Sequence, residues 1–211
     1  MTDLRMDSRS SRVFINCPFD DEFKPIFDAI IFAIHDLGFE ARHALIKDGD
    51  DLRLPRIARE ISGSKYSIHD LSRVEITGKQ KLPRFNMPFE AGIAFSLSHF
   101  ADESKPHHLL LLDSKRYRYL ATLSDAAGLD PKIHDANPEK AIENVRNFLS
   151  EKIKAPMLPG GEHVQKRYGL FLARLPAAAD MHKLSMKELQ SWSYVNDLQA
   201  LMSNWILTNK P

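Results

Sequence analysis

The 211-residue chain carries 29 Lys and Arg against 28 Asp and Glu, a formal net charge of +1, with 43% hydrophobic and 27% charged residues. This composition fits a soluble globular protein and lacks the basic surplus that long nucleic acid or an anionic membrane surface rewards. Its length suits one good hydrophobic core with a helical appendage and is short for two full domains.

Any anionic partner is therefore expected to be small and held by a few local Arg or Lys residues. A single cysteine, Cys17, excludes an internal disulfide and a Cys-based structural zinc site. None of the nine histidines pairs at i, i+4, so no metal is expected. Met1 to Arg12 mixes Asp, Arg and Ser without an apolar core, unlike a signal peptide. Ala29 to Ile34 and Leu109 to Leu112 are too short to span a bilayer. The expected location is cytoplasmic, with no membrane partner.

In chain order, residues 1–11 read as a disordered leader. Val13 to Cys17 is an apolar run ended by Pro18 and predicts a buried strand. Phe23, Ile26, Phe27, Ile30, Ile31, Ile34 and Leu37 fall on one helical face, opened by Asp20 and Asp21 and closed by Gly38. Phe39 to Leu45 predicts a second strand, and Leu52 to Ile61, ending at Gly63, a second helix. Tyr66 to Leu71 is the third strand, followed by a polar loop over Ser72 to Arg84. A helix is predicted from near Pro88, where the missing N–H costs nothing in a first turn. His107 to Leu112 and Ile133 mark two more strands, and Ile142 to Ile153 another helix. Val164 to Leu175 and Met186 to Leu207 predict two amphipathic helices.

Strands alternating with helices imply an α/β fold: a flavodoxin-like five-stranded parallel sheet of order 2-1-3-4-5, with helices on both faces and a C-terminal helical hairpin. The domain is expected over 12–155 and the helical extension over 156–211. The aromatic stripe on the last helix suits core packing, a homo-oligomer or a partner protein.

In such sheets ligands bind beyond the carboxyl ends of the strands, where the order reverses. Asn16-Cys17-Pro18-Phe19 and His69-Asp70-Leu71-Ser72-Arg73 end the two flanking strands, and Asn86 to Glu90 is delivered to the same rim. Glu90, read in the first turn of a helix, would be held as a carboxylate by the helix dipole, the form a nucleophile or oxocarbenium stabiliser needs. The same placement is also ordinary dipole complementarity. Asp70 could orient a ribose hydroxyl or a base, or cap its loop as an Asx turn, and Asn16 is equally ambiguous. His69 reads as a satisfied core histidine and Cys17 as a small buried hydrophobe. Arg73 and Arg84 bracket the long loop and could hold phosphates. No Gly-x-Gly-x-x-Gly, phosphate loop or Gly-x-Ser-x-Gly elbow occurs.

Val13-Phe14-Ile15-Asn16-Cys17-Pro18-Phe19, then Ile68-His69-Asp70-Leu71-Ser72-Arg73, then Asn86-Met87-Pro88-Phe89-Glu90-Ala91-Gly92 resembles bacterial TIR-like proteins. These overlap with the nucleoside 2-deoxyribosyltransferases. The resemblance covers residues 12–153 and implies cleavage at an anomeric carbon, with Glu90 at C1′ of a ribose and Asp70 as a second catalytic carboxyl. Asn16, Pro18, Phe19, Ser72, Arg73, Arg84 and Asn86 would surround the nucleotide. The implied function is an NAD glycohydrolase acting as a regulated antiphage defence effector, with NAD as substrate and no separate cofactor. Alternatives are a nucleoside or nucleotide N-glycosidase or deoxyribosyltransferase, and a non-catalytic nucleotide-sensing or interaction module. Pro88 before the aromatic-Glu pair and the length of the Ser72 to Arg84 loop depart from the commoner family pattern.

Overall fold

The computed structural model describes residues 8–45, 52–73, 76–77, 82–83, 85–117, 129–153 and 157–210. The elements run β1 (Arg12–Asn16), α1 (Lys24–Asp36), β2 (Glu40–His43), α2 (Arg53–Ser62), β3 (Tyr66–Asp70), β4 (Ile76–Thr77), β5 (Leu82–Pro83) and α3 (Asn86–Phe100). They continue with β6 (His108–Asp113), β7 (Lys132–Ile133), α4 (Pro138–Lys152), α5 (Gly161–Met181), α6 (Met186–Leu189) and α7 (Val195–Thr208). They divide into two units, one formed by residues 1–18 and 39–135, the other by 19–38 and 136–211. In this division α1 and α4 group with the C-terminal helices.

In the first unit β2, β1, β3, β6 and β7 lie side by side in that order, all parallel. This is the expected 2-1-3-4-5 order of a flavodoxin-like α/β protein. Val13, Phe14 and Ile15 point to alternating faces and are all fully buried, which explains why β1 reads as a continuous apolar run rather than an alternating one. α3 packs on β3, β6 and β1, where Met87 and Ala91 meet Leu71 and Leu111.

Two local expectations change. The loop from Ser72 to Arg84 contains a short antiparallel ladder, Ile76 opposite Pro83 and Thr77 opposite Leu82. Ser8–Ser11 forms a 3-10 turn rather than a disordered leader; residues 1–7 lie outside the described residues. Arg9 fastens that turn by donating to the carbonyls of Ser62, Lys105 and Pro106 at 3.1, 3.3 and 3.1 Å.

The second unit is helical. α1 packs against α4, α7 and α5, and Phe32 stacks on Phe171 at 5.5 Å while Trp205 meets both rings at 5.9 Å. Asp36 closes this core by accepting from Arg167 at 2.8 Å, and the guanidinium lies 5.1 Å from the Trp205 ring. The two-helix expectation is corrected here. α5 runs to Met181, while the predicted long helix from Met186 is broken by a 3-10 turn at Trp192–Tyr194. Ser185 caps the expected start at Met186, and Ser191 caps a second start inside the predicted span with its side chain, drawing the backbone out of one continuous helix. Among the described residues no helix is long and apolar enough to cross a membrane.

Candidate functional site

β1 ends at Asn16, which stands opposite His69 in the parallel ladder, so both side chains project from the same face of the sheet. Asn16 Nδ2 donates to His69 Nδ1 at 3.1 Å. Glu90 approaches from α3, whose buried residues Met87, Glu90, Ala91 and Ala94 form one stripe at helical spacing. Glu90 therefore occupies a core-facing position that an apolar residue would ordinarily fill, and only 3% of it is exposed. Asn16 Oδ1, His69 Nε2 and Glu90 Oε2 are buried without a hydrogen-bond partner among the described residues. Buried polar atoms are ordinarily paired, so three orphans on interacting side chains make this cluster the candidate site.

The electrostatics correct one expectation. α3 begins at Asn86, its first turn holds no acidic residue, and Glu90 lies in the second turn. Burial, not the helix dipole, dominates its ionisation: desolvation raises the carboxyl pKa, opposed by the positive charge of Arg53 and by hydrogen bonding from Asn16. Glu90 thus holds its proton more readily than an exposed glutamate. His69 is fully buried, and desolvation lowers it to about 3, helped by repulsion from His107. The imidazole is neutral, with Nδ1 free to accept from Asn16 and the ring proton on Nε2.

Asp70 has different company. Its Oδ1 accepts from the Ser72 backbone N–H at 2.8 Å, the Asx turn that the sequence left open. Its Oδ2 accepts from His134 Nε2 at 2.9 Å, and Ser72 Oγ lies 3.1 Å from the same nitrogen. Asp70, Ser72 and His134 are each 1% exposed. The cluster ties the end of β3 to the residue that follows β7, and both Asp70 oxygens have protein partners.

The other expected residues divide. Pro18 is buried two residues beyond the end of β1, Asn86 is exposed at the start of α3, and Arg73 is half-buried. Arg84 lies outside the described residues. Phe19 belongs to the helical unit, where its ring meets Trp192 edge-on at 5.3 Å. Gly92 does not accommodate a close neighbour, since an added Cβ would meet nothing within 4 Å. With Phe89 it lines an apolar groove of about 730 Å³ between α2 and α3.

Two residues were missed in the sequence. Arg53 is the first residue of α2, where the helix dipole disfavours a cation, and that misplacement was a readable signal. His134 had none, because its role depends on β7 lying beside β6. The chain matches no protein-family model, no curated protein and no solved structure.

Proposed function

We propose that this chain is an N-glycosidase that separates a base from C1′ of a ribose, with NAD as the substrate. The observation that carries the reading is an ionisable Glu90 set into the core-facing stripe of α3, against Asn16 and within the field of Arg53. A pyridinium nucleotide suits such a carboxyl. Its ring cation stabilises the carboxylate that burial alone disfavours, and Arg53 offers a charge for a phosphate.

Cleavage breaks the C1′–N bond, and the bonding pair leaves with nicotinamide, which departs neutral. The oxocarbenium that remains at C1′ faces the Glu90 carboxylate. Water then adds to C1′ and releases one proton, giving ADP-ribose. The Asn16 amide would orient a ribose hydroxyl, and Asp70 would hold the rim without touching substrate. The resemblance to bacterial TIR-like proteins extends this reading to a regulated defence effector.

The raised pKa of Glu90 favours one second reading. A protonated carboxyl can donate to the base of an ordinary nucleoside, whose leaving group needs that proton. Nicotinamide release by the purified wild type, lost in a folded Glu90→Gln variant, would support the first reading. Base release from nucleosides with NAD untouched would replace it by the second. Activity on neither would leave a binding module.

A further inference from the structure

We propose that the helical unit holds a separate binding site for a small apolar anion, in the cavity that α1, α5 and α6 line around Lys24. The cavity is about 680 Å³, the size of an ordinary small-molecule site. Lys24 is the first residue of α1 and only 4% exposed. A cation there opposes the helix dipole and gives up most of its hydration. Its ion-pair partner is Asp28, whose two oxygens accept from Nζ at 2.6 and 2.8 Å. Such a pair is a poor stabiliser compared with apolar side chains of similar volume, so its burial beside an open cavity points to ligand recognition.

The polar wall is rich in donors. Lys24 Nζ has a third N–H and lies 5.6 Å from the Trp192 ring centre. Tyr168, also on the wall, is 7% exposed, and burial raises its pKa, keeping the hydroxyl a donor. The acceptors of Asp28 are already used by Lys24. A ligand that engages these donors brings acceptor oxygens, and the positive charge of Lys24 favours an anionic group. Leu172, Leu175 and Leu198 supply the apolar remainder of the wall, which a flat or aliphatic body would cover.

Asp28 makes the exchange feasible. Desolvation raises it to about 6, against the attraction of Lys24, so it can take up a proton as the ligand anion engages Lys24. Asp21, Tyr168 and Lys187 are the other ionisable groups facing this cavity. This site is independent of Glu90.

Calorimetric titration of the full chain with naphthalene-2-sulfonate, an anion at every working pH, tests the proposal. Saturable 1:1 binding is expected, tighter at pH 5.5 than at 7.5. Lys24→Met, Leu172→Glu and replacement of the probe by neutral 2-naphthalenemethanol should each weaken binding by at least about tenfold. Leu172 is 45% exposed, so its substitution spares the fold and decides the matter should Lys24→Met fail to fold. Glu90→Gln should leave binding unchanged. Absence of saturable binding to the wild type, or binding indifferent to Leu172→Glu, would overturn the proposal.

Discussion

Asp70 separates a structural from a catalytic carboxyl, and substitution there has two distinguishable readouts. Asp70→Ala removes the acceptors for the Ser72 N–H and for His134 Nε2, bonds of 2.8 and 2.9 Å in a cluster that is 1% exposed. Each buried polar group left unpaired costs about 1–3 kcal/mol. Ser72 Oγ, 3.1 Å from His134 Nε2, can take over one of them, which limits the total to about 1–3 kcal/mol. For a chain of this size that loss lowers the Tm by roughly 2–12 °C. Asp70→Asn keeps the acceptor for Ser72 and can donate to the other tautomer of His134, so its cost should stay near 1 kcal/mol. Thermal melts followed by circular dichroism, with nicotinamide release on the same samples, measure both effects. Asp70→Ala melting with the wild type would refute the structural account. Asp70→Asn that folds normally but loses all turnover would return Asp70 to the chemistry.

Three further outcomes are expected. Because burial raises the Glu90 pKa above its ordinary 4.5, the folded state holds that proton more tightly than the unfolded chain. Stability therefore falls as pH rises from near 4.5 through the raised value, and Glu90→Gln should raise the Tm at pH 7.5 but not at pH 4. Arg9→Ala, which frees three backbone carbonyls, should cost about 1–2 kcal/mol in urea unfolding. Phe171→Ala should cost about 3–5 kcal/mol, since the ring is 1% exposed and stacks on Phe32.

The sheet was legible because its physics is local. Continuous apolar runs such as Val13 to Ile15 announce buried parallel strands, and strand–helix alternation with right-handed crossovers leaves few possible orders. The breaks came where side chains bond to nearby backbone. Ser191 divides what periodicity joined into one helix, and β4 and β5 pair within a stretch whose composition reads as loop. At the site, the proximity of Asn16 to His69 follows from parallel register and could be anticipated from strand order. The ionisation of Glu90 could not be read from a helix start misplaced by two residues, though its position in the stripe Met87, Glu90, Ala91 and Ala94 was visible. The partners of Asp70 required His134, 64 residues away, and no local pattern reaches that far.

The sign of the pH dependence separates the two glycosidase readings. Glu90 is the buried carboxyl with an orphaned oxygen beside Asn16, and His69 stays neutral at any pH well above 3, so the imidazole contributes no limb near neutrality. NAD cleavage uses the carboxylate, and its kcat/KM should rise as pH increases through the raised Glu90 pKa. Nucleoside cleavage uses the protonated acid, and its kcat/KM should fall through the same value. The substrate adds a second asymmetry. A bound pyridinium stabilises the carboxylate, so the kcat profile for NAD should bend at lower pH than its kcat/KM profile, whereas a neutral nucleoside offers no such cation. Either limb must vanish from the residual activity of Glu90→Gln. A limb that survives that substitution belongs to another group and would remove Glu90 from the proton and charge balance of the reaction.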